Sequence, residues 1–269
     1  MFLIEMLKTF ILGIVEGITE WLPISSTGHM ILVNEFINNN GFTASDLYIY
    51  VIQLGAILAV ATLYFKRLNP FSPSKSKTEK FSTWNMWGKV LVACIPAAVI
   101  GLALDSFMEH FENWQVVSAT LIIYGIAFII VERCRKKTVV NSIEEMSYKT
   151  ALYIGAFQVL SIIPGTSRSG STILGAMLVG CGRSVAAEFS FFLAIPVMFG
   201  VSFLKILKYG IAMSAANAVI LISGMLVAYI VSMLAIKFLT EYVKKHDFKF
   251  FGIYRIILGI IVILYFCIF

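Results

Sequence analysis

Apolar residues fall into two kinds of stretch along this chain. Six run unbroken at residues 46–66, 86–104, 115–132, 184–207, 212–238 and 250–268. These are long enough to cross a hydrocarbon core, which takes about 20 residues. Two more, 2–36 and 150–182, are interrupted in the middle by LPISSTGH and IPGTSRSGST. A proline among small polar residues cannot face lipid, because each backbone N–H and C=O there needs a partner; such breaks persist only inside protein or along a cavity. Each interrupted stretch is therefore expected to be a re-entrant helix–loop–helix hairpin. The pattern predicts an all-α polytopic membrane protein whose residues 1–269 form a single membrane domain.

The two interruptions are related. At a constant offset of 142, Gly13 matches Gly155, Glu16 matches Gln158, Ser25 matches Ser167 and Thr27 matches Ser169. Gly28, Ile31 and Leu32 match Gly170, Ile173 and Leu174 in the same register. Each interrupted stretch is followed by three spans. The chain thus reads as two repeats, about 1–133 and 145–269. Three crossings per repeat is an odd number, so the second must be inverted. Broken helices at corresponding places of an inverted repeat point to a central binding site.

Composition agrees: the chain is 59% hydrophobic and 13% charged, with a mean hydropathy of +0.89, against roughly 25% charged residues in soluble domains. A net charge of +6 could suggest nucleic acid, but the basic residues lie between apolar runs. Lys66, Arg67, Lys75, Lys77, Lys80 and Lys89 oppose one acid, Glu79, over residues 66–89. Arg133, Arg135, Lys136, Lys137 and Lys149 occupy residues 132–149, and Lys237, Lys244, Lys245 and Lys249 occupy 237–249. By the positive-inside rule these loops are cytoplasmic. The acidic DSFMEHFEN (105–113) then falls outside, with Lys205 and Lys208 against the trend. The first hairpin enters from outside and the second from the cytoplasm, so their tips approach within the bundle. Both termini fall outside. The N-terminus lacks a basic region and a cleavage site, and is expected to be retained. Cys94, Cys134, Cys181 and Cys267 show neither metal-ligand spacing nor a disulfide framework.

The chemistry sits in the interruptions. Glu16 and Glu20 are four apart and share a helix face. Each carboxylate near membrane depth costs roughly 2.5–3.5 kcal/mol on insertion scales, so a partner is implied: Mg²⁺ or Ca²⁺, a cation such as Arg168, or a shared proton. SSTGH before MILV, and GTSRSGST before ILGAMLV, look like capped helix N-termini. Free N–H groups and the helix dipole make such ends anion sites, and two together make a cradle. Arg168 adds a guanidinium suited to phosphate oxygens. His29 can move a proton or attack phosphorus. Ser25, Ser26 and Thr27 are candidate nucleophiles if a base is in reach, although a hydroxyl at a helix start is usually only a cap. No Walker-type sequence is present, so a nucleotide is not indicated. Anion cradle, arginine, proton-transfer group and paired carboxylates are the parts that phosphoryl transfer needs. A transporter of anions or lipid phosphates would use the cradle and Arg168 without a nucleophile.

EGITEWLPISSTGHMIL (16–32) together with PGTSRSGST (164–172) resembles undecaprenyl-pyrophosphate phosphatase, the bacitracin-resistance family of bacterial integral-membrane enzymes. VIQLGAILAV (51–60), IPAAVIGL (95–102) and AAEFSFFLAIP (186–196) extend the resemblance over essentially the whole chain. It implies hydrolysis of the C55 isoprenoid diphosphate to the monophosphate reused in cell-wall synthesis, and with it resistance to bacitracin. It implies Glu16 and Glu20 as the acidic pair tied to divalent-metal dependence, and Ser26 as nucleophile. His29 is implied as acid/base or alternative nucleophile, and Arg168 as phosphate clamp. Ser167, Ser169 and Thr172 follow as phosphate ligands, beside Ser25, Thr27 and Gly28 of the first tip. The expected partners are a polyprenyl diphosphate and membrane lipids, with no nucleic acid and a homodimer left open. The expected location is the bacterial cytoplasmic membrane, with the site open to the outer side.

Overall fold

The computed structural model describes residues 2–111, 113–134, 138–209 and 213–268. Among them the only β pairing is an isolated bridge between Val140 and Cys181. Both interrupted stretches are helix–loop–helix units: α1 (Phe2–Thr19) with α2 (Ser26–Phe36), and α7 (Tyr148–Gln158) with α8 (Arg168–Leu178). The long helices are α3 (Asp46–Leu63), α5 (Lys77–Met108), α6 (Trp114–Arg133), α9 (Arg183–Tyr209), α10 (Ala215–Lys245) and α11 (Lys249–Ile268).

Among the described residues, five helices are long and apolar enough to cross a membrane: α5, α6, α9, α10 and α11. The sixth expected span, 46–66, is shorter: its apolar part is Leu47–Leu63. The chain breaks at Tyr64 and continues as the single turn α4 (Phe65–Leu68), where Lys66 and Arg67 end the apolar character. The basic "loops" are also partly helical. Lys77, Lys80 and Lys89 stand on α5, and Lys237, Lys244 and Lys245 on α10. Hydropathy marks where apolar character stops, whereas a helix continues while its residues favour it. Lys and Glu are good helix formers. Ser76 and Glu79 form a capping box that starts α5: Glu79 Oε2 accepts from Ser76 N at 2.7 Å, and Ser76 Oγ accepts from Glu79 N at 3.2 Å. Lys205 is buried with its ammonium 4.8 Å from the Tyr50 ring centroid, so it is not a loop charge. Glu112, Arg135, Lys136 and Lys137 lie outside the described residues, as do the side chains of Asp105, Glu109 and Lys208.

The exterior is apolar. Ile222, Leu226, Ile230 and Leu234 recur every four residues along one exposed face of α10. Ile253, Ile257, Ile260 and Leu264, three or four residues apart, form an exposed face of α11. Exposed apolar surface on this scale marks a lipid-facing protein. Inside, α9 contributes Phe189, Phe191 and Phe192, all fully buried. Helix pairs approach closely at small residues, the usual device where lipid gives no hydrophobic drive between helices. On the α6–α11 pair, a Cβ added to Gly125 would lie 2.6 Å from Gly252 O, and one added to Gly252 would lie 2.7 Å from Gly125 O. Helix α1 packs on α10 and α7 packs on α5. These packings bring the two interrupted segments together in the interior.

Candidate active site

The two loops between the broken helices have the same construction. Ser25 has φ +73° and Ser167 has φ +70°, a region that residues with a Cβ rarely adopt. Each then caps the following helix: Ser25 Oγ accepts from Gly28 N at 3.3 Å, and Ser167 Oγ accepts from Gly170 N at 3.1 Å. Strain of this kind persists where the surroundings over-determine it. Its effect is to set Ser26 and Arg168, at equivalent places in the repeat, as the first residues of α2 and α8.

The tips meet through Glu20. Its backbone N–H bonds to Glu16 O at 3.0 Å, which extends the helical turn past α1 and keeps both carboxylates on one face. Glu20 Oε1 accepts from Arg168 Nη2 at 2.9 Å and Nε at 3.3 Å, while Oε2 accepts from Ser26 Oγ at 3.2 Å. One carboxylate therefore touches the candidate nucleophile and the candidate phosphate clamp. Arg168 Nη1 donates to Ser190 O at 2.9 Å, and its guanidinium lies 5.8 Å from the Trp21 ring centroid. Ser169 Oγ reaches across to Glu20 O at 3.0 Å and Leu22 O at 3.2 Å. Ser167 Oγ lies 3.1 Å from Ser169 Oγ, and Thr172 Oγ1 lies 2.7 Å from Ser190 Oγ.

His29 stands apart from this cluster. Its Nδ1 is 2.7 Å from Ser25 O, and a carbonyl can only accept, so Nδ1 carries a proton. Its Nε2 is 2.7 Å from Tyr254 Oη, and the two rings stack at 8°. Both ring nitrogens are thus engaged by groups other than Ser26. Thr27 is exposed and Gly28 is buried against Leu121.

Glu16 is buried, and among the described residues its Oε1 has no hydrogen-bond partner. No cluster of three or more His, Cys, Asp or Glu able to hold a metal occurs among the described residues. Glu16 and Glu20 offer oxygen donors, which suit Mg²⁺ or Ca²⁺ rather than a soft metal. An orphaned carboxylate oxygen beside a second carboxylate fits a cation that completes its shell with phosphate oxygens, as Mg²⁺ usually does.

Four residues that sequence reasoning passed over belong to the site. Ser190 joins Arg168 to Thr172, and Tyr254 holds His29. Arg255 is fully buried, and its guanidinium lies 5.4 Å from the Tyr124 ring centroid. An arginine inside the apolar run 250–268 was the available signal, since ionisable residues at membrane depth are functional by default. Ser190 and Tyr124 carry no such signal.

A profile of the family described as Bacitracin resistance protein BacA matches residues 9–261. The undecaprenyl-diphosphatase of Enterococcus faecalis is 59% identical over 266 residues, covering 96% of each chain. That of Streptococcus thermophilus is 57% identical over 271 residues, covering 98% of this chain and 94% of its own. That of Acetivibrio thermocellus is 56% identical over 268 residues, covering 98% of each. With the profile spanning nearly the whole chain and both loops included, this protein belongs to the Bacitracin resistance protein BacA family.

Proposed function

We propose that this protein hydrolyses undecaprenyl diphosphate to undecaprenyl phosphate and inorganic phosphate, recycling the lipid carrier for cell-wall synthesis and conferring bacitracin resistance. The observation that carries the reading is the bridge by which Glu20 touches both Ser26 and Arg168 across the two tips. The names of the relatives support the substrate.

The geometry supports a two-step displacement. The terminal phosphate docks on the N-termini of α2 and α8, whose N–H groups and dipoles favour anions. Phosphate oxygens compete with Glu20 for Arg168 Nε and Nη2. As the guanidinium turns to phosphate, Glu20 Oε2 keeps its contact with Ser26 Oγ and serves as the base. It takes the Ser26 proton while Oγ bonds to the terminal phosphorus and the bond to the bridging oxygen breaks. The lipid monophosphate leaves with the proton that Glu20 returns to its bridging oxygen, which restores the carboxylate. Water, deprotonated by Glu20, then attacks the phosphoserine and releases phosphate and the Ser26 hydroxyl. Glu16 and Glu20 would hold the divalent cation, which when bound neutralises phosphate charge. Detergent-purified protein is expected to release phosphate from a polyprenyl diphosphate and to stop on addition of EDTA. Absence of release with every divalent metal would overturn the hydrolase in favour of transport, and full activity in EDTA would remove the metal.

The architecture is read as an inverted repeat in the cytoplasmic membrane with the site open to the outside. The repeat is supported by exchanged packing, in which α1 rests on α10 as its counterpart α7 rests on α5 and the third spans α6 and α11 pair with each other; the orientation is supported by the basic residues of 66–89, 132–149 and 237–249. In intact cells, single cysteines at 40–45 are expected to react with an impermeant thiol reagent and those at 70–80 to be protected. Labelling of 70–80 from outside would reverse the orientation.

A further inference from the structure

Arg255 has an environment that a guanidinium at membrane depth rarely has. It is fully buried, and among the described residues no carboxylate pairs with it. Its donors go to backbone carbonyls of both tips. Nη1 bonds to Pro23 O at 3.2 Å, Nη2 to Gly165 O at 2.9 Å and to Thr166 O at 3.1 Å. Its face lies on Tyr124, whose hydroxyl accepts from Ser171 Oγ at 3.4 Å. Among the described residues its Nε has no partner. The three carbonyls stand just upstream of Ser25 and Ser167, where the chain enters its two positive-φ turns. A buried charge without a counter-ion is costly. Every hydrogen bond that offsets this cost goes to one of the two loops that aim Ser26 and Arg168.

We propose that Arg255 is a positioning residue that brackets the two tip loops and thereby sets the separation of Ser26 from Arg168. Three features of arginine suit this role. Its planar fork spans two loops, its charge is strong enough to order carbonyl dipoles, and its stem comes from a rigid helix. Lysine has the charge but no fork, and holds one loop at best. The bracket acts on alignment rather than on substrate affinity, because Arg255 is buried behind the loops and touches no solvent.

The test is the pair Arg255→Lys and Arg255→Gln in purified full-length protein, with kcat, KM and size-exclusion profile read together. Arg255→Lys is expected to stay monodisperse and to lose about 10–100-fold in kcat, the scale of an ångström-sized misplacement, with KM within about threefold of wild type. Arg255→Gln is expected to lose more in kcat with the same unchanged KM. Wild-type kcat in Arg255→Lys overturns the bracket, as does a raised KM with kcat intact. Loss of monodisperse protein in both variants also overturns it, since the residue is then a folding determinant. The inference rests on the site proposed above. An Arg168→Ala enzyme with wild-type rate would remove that site, whereas the outcomes just named remove only the bracket.

Discussion

Arg168→Ala is expected to lower kcat on a polyprenyl diphosphate by about 10³-fold or more, the scale at which phosphoryl transfer depends on a cationic clamp. All three nitrogens of the guanidinium are committed at the junction of the tips: Nε and Nη2 to Glu20 and Nη1 to Ser190 O. Both partners of the ion pair are nearly buried, with side-chain exposures of 10% for Arg168 and 9% for Glu20. Removing the cation strips charge from the transferring phosphoryl group. It also strands a buried carboxylate, which typically costs about 3–5 kcal/mol. The second effect could lower activity through stability alone, so Arg168→Lys is the discriminating variant. It keeps a countercharge for Glu20 but cannot make the two-pronged contact. It is expected to purify as a monodisperse protein and still to lose about 10²-fold in kcat. A lysine enzyme at wild-type rate would show that charge alone suffices.

Much of this arrangement is legible in the chain because its physics is local. Proline and hydroxyls inside an apolar run force a break, and the breaks at LPISSTGH and IPGTSRSGST are where the structure has them. Ser25 and Ser167 as caps follow from residue type and position. Contacts that depend on long-range packing are not legible. Ser190 lies 22 residues from Arg168 and Tyr254 lies 225 from His29, and neither residue type announces its partner. Helix ends escape for a different reason. Hydropathy reports the lipid boundary, and α5 begins at Lys77, outside the apolar run, because a capping box starts it there. Arg255 is readable in principle but disappears into the run 250–268, since one arginine scarcely changes the mean hydropathy of a long span.

The repeat also explains how one loop design yields two chemistries. The caps Ser25 and Ser167 match in residue, in φ and in hydrogen bond, so each helix presents its first residue in the same manner. The first residue differs: a hydroxyl on α2 and a guanidinium on α8. Glu16 has Gln158 as its counterpart at the offset of 142, so the second tip lacks the acid where it carries the cation. A symmetric anion cradle has become an asymmetric one, with attack from one side and charge stabilisation from the other.

Ser26→Ala is expected to be inactive, with kcat reduced by about 10⁴-fold or more, as when a nucleophile that acts with its base is removed. The fold should tolerate the change. Ser25, not Ser26, caps α2, and among the described residues the Ser26 side chain makes one hydrogen bond, to Glu20 at 3.2 Å. Loss of activity in a well-folded variant would therefore report on chemistry. His29 competes for the role, and the geometry weighs against it: Nδ1 donates to Ser25 O and Nε2 faces Tyr254. For His29 to attack, its Nε2 would have to leave Tyr254, whereas Ser26 is already bonded to a base. The two routes leave different adducts. With substrate labelled in the terminal phosphate, an acid quench preserves a phosphoserine and destroys a phosphohistidine. Label surviving acid in wild type and absent in Ser26→Ala is the expected result. Acid-labile, base-stable label retained in Ser26→Ala would transfer the nucleophile to His29 and leave Ser26 as a phosphate ligand.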